Sequence, residues 1–169
     1  SDEEIANAFM KGKIRDELKH DLAGILKHFK GPLAVRSSSL LEDSQSRPFA
    51  GIYSTYMLPN NHKNSSIRLN QLCQAIKLIY ASVYFLEPRI YIESTSSKIE
   101  EEKMAIVIQN VVGENHDGRF YPTFSGVAQS YNFYPVGHQT FEDGIASVAV
   151  GLGKTVVGGG KALRFCPRY

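Results

Sequence analysis

Gly31-Pro32 marks the point where the chain must change from helical to extended backbone. Over residues 3–30 the apolar side chains recur at three- and four-residue steps, the period of a helix, and Gly12 offers a break within that stretch. A proline cannot continue the helical ladder, and it pushes the preceding residue out of the α region. The sequence therefore predicts a helical segment before residue 31 and a strand over 33–37.

Downstream of this point, strand and helix patterns follow each other. β-branched and aromatic runs predict strands, and three- to four-residue apolar repeats predict helices. We expect strands at 52–58, 104–112 and within 120–134, and helices at 66–83 and 89–99. The run over 104–112 is almost continuously apolar, which predicts burial on both faces. The order indicates an α+β fold, with a parallel Rossmann topology as the alternative.

Composition excludes several classes of protein. A chain of 169 residues with 43% hydrophobic residues fits one domain with an ordinary core, and its net charge of +2 gives no argument for nucleic-acid or membrane binding. No window approaches the ~20 apolar residues of a membrane span. Cys73 and Cys166 lie far apart, outside any metal-binding spacing, and the five histidines show no ligand spacing either. We expect a cytoplasmic protein with both cysteines reduced.

The segment LAVRSSS, followed by FAGIYST, predicts a small anion site. Arg36 emerges at the end of an apolar strand, and its guanidinium fork matches phosphate or carboxylate oxygens. Ser37 follows with a hydroxyl, and the second segment returns Gly51 and Thr55 to the same region. Glycine lets backbone amides approach an anion closely, and a threonine hydroxyl can donate to it.

Each of these residues also has an ordinary structural interpretation. Arg36 could form a salt bridge with Glu42 or Asp43, and those carboxylates could instead order the loop by pairing with Arg47. Ser37 and its neighbouring serines could serve as turn formers and helix caps. The residues by themselves leave these alternatives open.

Gly153-Lys154-Thr155 looks like the end of a phosphate-binding P-loop, but the spacing is wrong. The pattern GxxxxGK[ST] requires glycine at position 148, which is Val148. A tight structural turn is the better interpretation of this glycine-rich segment.

Four ordered segments carry a family pattern: VRSSSLLEDSQSRPFAGIYST, IVIQNVV, the SGV of residues 125–127, and GLGKTVVGG. They are similar to VRSSA-x-x-ED…FAG-x-x-x-T, VVVQ-x-MV, SGV and GLGEAVVSG in the nucleotide-binding domain of phosphoenolpyruvate synthase and pyruvate phosphate dikinase. Rifampin phosphotransferase and the glucan water dikinases share that domain. The resemblance spans about residues 32–160.

The resemblance implies an ATP-grasp-like lobe with a mostly antiparallel sheet and flanking helices. By matching motif positions, Arg36 would contact the triphosphate of ATP, and Gly51 and Thr55 would lie along its phosphates. Gln109 and Val111 would form the strand that borders adenine. The structural alternative for Gln109 is a core amide that a neighbouring strand satisfies.

Two positions depart from the family pattern. Lys154 stands where glutamate is common, and Ala128-Gln129-Ser130 replaces the usual MFT after SGV. The resemblance also implies that a phosphate-binding Gly-Lys-Gly segment lies upstream, that the magnesium ligands lie beyond Tyr169, and that a phosphohistidine domain and a pyruvate-binding barrel belong to the same polypeptide. We expect residues 1–169 to form one partial domain, with a leading helical segment at 1–31 and an ATP-binding lobe at 32–169. We expect this chain to be inactive without the rest of the polypeptide.

The function that the resemblance implies is the ATP-binding portion of a phosphoenolpyruvate synthase-like dikinase that uses ATP and Mg²⁺. Its partners would be ATP and the other domains of the same polypeptide, with no nucleic acid and no membrane. The alternatives are a non-catalytic nucleotide-binding module and a related phosphotransferase that acts on another hydroxyl acceptor.

Overall fold

The computed structural model describes residues 1–42, 51–94, 99, 102–157 and 160–168, except the side chains of Lys154 and Val157. The backbone groups into two compact units, Ser1–Val111 and Val112–Tyr169. Both are built from antiparallel strands, and the chain is α+β, consistent with an ATP-grasp-like lobe, as the sequence predicts. No helix in the described ranges has the length and apolar character needed to cross a membrane.

The helices of the first unit begin and end where local sequence signals require. The bounds are Asp2–Lys11 for α1, Asp16–His28 for α2, Ser65–Ser82 for α3 and Leu86–Glu93 for α4. The predicted break at Gly12 is confirmed. Asn64 caps α3, because its side-chain oxygen accepts a hydrogen bond from the Ser66 amide at 2.8 Å. Of the predicted helix at 89–99, residues 95–98 lie outside the described ones.

The sheet of the first unit has the strand order β2-β1-β3, with both pairs antiparallel. Strand β1 is Leu33–Ser39, β2 is Thr55–Leu58 and β3 is Met104–Asn110. Leu33 and Val35 point to one face of β1 and are completely buried. They join α2 and α3 in the main core, whose buried members are Leu22, Leu26, Leu33, Val35, Leu72, Cys73, Ala75, Ile76 and Ile79.

The prediction that the 104–112 strand is buried on both faces is wrong. Met104, Ile106 and Ile108 pack against the core, whereas Val107 is 38% exposed and Gln109 is exposed. The reason is that the helices supply apolar partners for one face of the sheet, so that successive side chains alternate between core and solvent. The continuous apolar run in the sequence concealed this alternation.

The second unit consists of short strands. A hairpin pairs β4 (Glu114–His116) with β5 (Arg119–Tyr121), and a separate sheet has the order β6-β7-β8. Its strands are Phe124–Gln129, Ile145–Val150 and Leu163–Phe165, and α5 is Lys154–Val157. The sequence predicts strands within 120–134, which is confirmed, but it gave no sign of β8.

The SGV and GLGKTVVGG segments meet in this unit. The Ser125 hydroxyl donates to the Gly151 carbonyl at 2.7 Å. A Cβ on Gly126 would lie 2.8 Å from the Ser147 carbonyl oxygen, so only glycine allows β6 to approach β7 this closely. Because the Lys154 side chain lies outside the described part, the effect of its charge stays untested.

Candidate functional site

The candidate site is the open face of the β2-β1-β3 sheet, the face that does not pack on the helices. We define it by Arg36, Thr55, Met57, Val107 and Gln109, all of which are exposed. Arg36 pairs in register with Thr55 on one side and with Val107 on the other. Three predicted site residues from three distant segments, Arg36, Thr55 and Gln109, therefore lie on one surface.

Arg36 and Gln109 are diagonal neighbours across β1 and β3. The Arg36 Nη1 donates to Gln109 Oε1 at 3.4 Å, a long hydrogen bond between exposed groups. Among the described residues, no carboxylate forms an ion pair with Arg36. Asp43, one of the two proposed partners, lies outside the described residues. The described surroundings thus leave the guanidinium charge without a compensating anion.

Ser37 lies on the opposite face from Arg36, as alternation along a strand requires. Its hydroxyl donates to Glu42 Oε1 at 3.0 Å, and the Ser39 hydroxyl accepts from the Glu42 amide at 3.2 Å. The structure therefore separates Ser37 from the open face and holds Glu42 against the end of β1, while the loop that Glu42 was expected to order lies mostly outside the described residues. A contact between Ser37 and a nucleotide stays a prediction, and Arg47, the other expected partner of Glu42, lies outside the described residues.

Gly51 precedes β2 in the chain, and Val111 follows the last residue of β3. Gly51 has a φ of +84° and nothing within 4 Å of where a Cβ would be, so its backbone conformation rather than crowding favours glycine. The Val111 amide donates to the Pro32 carbonyl at 2.9 Å, which extends the β1–β3 pairing by one step. That donor is already used by the protein, and the predicted ligand roles of both residues stay predictions.

Comparison with known proteins identifies the family. A family model of the AMP/ATP-binding domain of pyruvate phosphate dikinase matches residues 1–162. The chain belongs to this family. It is also 31% identical over 160 residues to a Bacillus subtilis (strain 168) protein named Uncharacterized phosphotransferase YvkC. That alignment covers 93% of this chain and 17% of the relative, so the chain spans a small part of the relative's length.

In this dikinase-family domain, the open face also carries two apolar residues that the sequence interpretation missed. Met57 is 52% exposed and Val107 is 38% exposed, and each lies two positions along its strand from a predicted site residue. Residues two positions apart on a strand share a face. Counting two positions from Thr55 and from Gln109 could therefore have predicted that Met57 and Val107 lie on the same face. Together they place apolar surface beside the polar groups.

A buried hydrogen bond links the segments that carry the site. The Tyr53 hydroxyl donates to Glu102 Oε2 at 2.6 Å, and Glu102 Oε1 accepts from the Leu40 amide at 3.1 Å. Burial first, and then the bond to Glu102, raise the pKa of Tyr53 far above its ordinary value. Glu102 thus ties the residue after β1 to the segment that leads into β2. No sequence pattern could reveal this link, because it depends on the register of distant segments.

The described residues contain no group of three or more His, Cys, Asp or Glu side chains that could hold a metal ion. Magnesium is held by oxygen ligands, usually carboxylates, phosphates and water. The described part of this domain therefore offers no cluster of such ligands.

Proposed function

We propose that the open face binds ATP, with Arg36 on the phosphates and Gln109 toward the adenine. The single observation that carries the proposal is the grouping of Arg36, Thr55 and Gln109 on one exposed surface around a guanidinium that has no ion-pair partner among the described residues. Membership in an AMP/ATP-binding domain family supports the same ligand.

The chemistry of each group suits its part of the nucleotide. A guanidinium offers two parallel N–H donors that match phosphate oxygens, and the Thr55 hydroxyl adds a further donor. Met57 and Val107 offer apolar contact for the face of a purine. The Arg36–Gln109 hydrogen bond is long, so exchanging it for a charge-assisted bond to phosphate costs little.

For the polypeptide that carries this domain, we propose a phosphoenolpyruvate synthase-like reaction. ATP, pyruvate and water would give AMP, phosphoenolpyruvate and phosphate through a phosphohistidine on another domain. The role of this domain would be to bind and orient ATP, and Arg36 would stabilise negative charge on the phosphates as the bond to AMP breaks. Magnesium would supply further charge neutralisation from ligands outside the described residues. We expect weak ATP binding and no turnover by the chain alone.

The test is calorimetric titration of Mg-ATP into the full-length protein, with Arg36→Ala beside the wild type. Removing a charged hydrogen-bond donor costs about 1.5–3 kcal/mol, so the Kd for ATP should rise by roughly 10- to 100-fold, and AMP formation should fall with it. Arg89→Ala, which removes an exposed arginine from α4, should leave both unchanged. Equal affinity and equal AMP-forming activity in wild type and Arg36→Ala would exclude the phosphate role.

A second candidate reaction is phosphoryl transfer to a different hydroxyl acceptor. The Bacillus subtilis relative is named a phosphotransferase with no acceptor specified, which fits this alternative as well as the dikinase. The two reactions differ in their product. Phosphoenolpyruvate formed from pyruvate in the AMP-releasing assay supports the dikinase, whereas release of AMP that requires another hydroxyl compound, with no use of pyruvate, supports the alternative.

A further inference from the structure

A second basic region lies on the helical side of the first unit, away from the open face. A cavity of about 300 Å³ occupies the junction between the α1–α2 turn and α3. Its polar side chains come from Lys13, Lys19, Ser66, Asn70, Cys73 and Lys77, and Ile14 and Leu69 add apolar surface. No carboxylate is among the described residues that line it. A cavity of this size with three ammonium groups in its lining is suited to an anion.

The sequence explains why these groups converge. Ser66, Asn70, Cys73 and Lys77 recur at steps of three and four residues and so share one face of α3. Lys13 lies in the turn that precedes α2, which brings a lysine from a second segment to the same cavity.

The charges in the cavity are only partly compensated. Lys19 pairs with Asp16 at 3.0 Å, and Lys77 donates to the Met10 carbonyl at 3.0 Å near the end of α1. Lys13 forms no ion pair with any described residue and is exposed. Burial raises the pKa of the Cys73 thiol in the cavity lining, and the positive charges of Lys19 and Lys77 oppose that rise.

This cavity is separate from the site of the proposed function. The buried face of α3 packs Leu72 and Ile76 against Leu33 and Val35 of β1, whereas Arg36 projects from the other face of that strand. The sheet and the core therefore lie between the two basic groups. A ligand in the cavity would not compete for the open face.

We propose that the cavity between the α1–α2 turn and α3 binds a small phosphorylated anion. Ammonium groups bind phosphate as mobile point charges, and Ser66 and Asn70 can add neutral hydrogen bonds to its oxygens. The inference goes beyond the proposed ATP-binding function and does not depend on it.

The test uses inorganic pyrophosphate titrated into the 169-residue chain and followed by amide NMR shifts. We expect saturable shifts at Asn70 and its α3 neighbours. Lys13→Gln removes a side chain with no ion pair to any described residue and should raise the Kd by about threefold or more. Lys27→Gln, which removes an exposed lysine outside the cavity, should leave the Kd unchanged.

Two results would overturn the proposal. One is the absence of shifts at Asn70 and its α3 neighbours up to about 10 mM pyrophosphate, a concentration that would detect even millimolar affinity. The other is an unchanged Kd in Lys13→Gln. Lys77→Gln should also weaken binding, with its unbound spectrum checked because Lys77 holds the Met10 carbonyl. Failure of ATP to bind at Arg36 would leave these outcomes unaffected.

Discussion

The two units of the chain bury apolar surface to very different extents. The first holds a continuous core in which Leu33, Val35, Leu72 and Ile79 are completely shielded from solvent. In the second, the described hydrophobic residues that are buried are Ala146 and Cys166. Its large apolar side chains are mostly exposed, among them Phe124 at 69%, Tyr134 at 82% and Val150 at 89%.

Buried polar side chains contribute more of the stabilising contacts in the second unit than buried apolar ones do. Asp143 is buried, and its carboxylate accepts from the Thr140 amide and from Arg168 Nη1, each at 2.7 Å. Asn132 is also buried: its backbone N–H donates to the Phe141 carbonyl at 2.8 Å, and its side-chain Oδ1 accepts from the Tyr134 backbone N–H at 3.0 Å. The comparison teaches that apolar truncation should damage the first unit, whereas loss of charge should damage the second.

The largest expected effect comes from Leu72→Ala. Leu72 is completely buried at the centre of α3, and truncation there removes contacts and leaves a cavity, which costs about 3–5 kcal/mol of the free energy of unfolding. Urea unfolding followed by the helical circular dichroism signal measures it, because α1 to α4 all belong to the first unit.

The matched control is Leu163→Ala in β8. Leu163 is 70% exposed, so the same truncation should change the free energy of unfolding by no more than about 0.5 kcal/mol. A similar loss in both variants would contradict the contrast between the two units.

Acid should weaken the second unit through Asp143. The Thr140 amide first, and Arg168 next, hold the pKa of the Asp143 carboxyl below its ordinary value of 3.8, against the opposing effect of burial. A carboxyl with a lowered pKa in the folded state stabilises the fold above its unfolded pKa and loses that contribution as pH falls through the folded value. Wild type should therefore exceed Asp143→Asn in stability at pH 7, and the gap should narrow as the pH falls below about 4.

The stability difference between wild type and Asp143→Asn is measured by urea unfolding at pH 7 and at pH 3, followed by the amide NMR signals of β7. Arg168→Gln is the intermediate control, because it removes the second contact and keeps the bond from Thr140. A gap between wild type and Asp143→Asn that is the same at pH 7 and pH 3 would show that the charge of Asp143 does not stabilise this unit.

How far the sequence predicted this molecule depended on the range of each interaction. Helices α1, α2 and α3 follow from local periodicity and caps, and those predictions are confirmed. The residues alone predicted that Thr55 returns to the region of Arg36, whereas Gln109 was assigned to the same site only through the family resemblance. The exposed side of β3 was mispredicted because its apolar run looks the same whether one face or both are covered.

Other features depended on register and so had no local signal. Ser37 is next to Arg36 in sequence and opposite to it in space, since one step along a strand reverses the face. The cavity is lined by Lys13 from a turn and by Lys77 from α3, 64 positions later in the chain. No short-range sequence pattern reveals such a pairing. Strand β8 is three residues long, too short for an alternating pattern to stand out.

The smallest expected effect comes from Tyr53→Phe. This variant sharpens the comparison between the units, because it tests a polar contact in the first unit, whose core is mainly apolar. Tyr53 is 4% exposed, and loss of its hydroxyl leaves Glu102 Oε2 without its donor, at a cost of about 1–2 kcal/mol in the free energy of unfolding. Tyr134→Phe, at a site 82% exposed in the second unit, should cost nearly nothing. If urea unfolding gives equal values for the two variants, the Tyr53–Glu102 bond does not stabilise the segments that carry the open face. If Tyr53→Phe costs as much as Leu72→Ala, polar contacts matter as much in the first unit as in the second, and the contrast between the units fails.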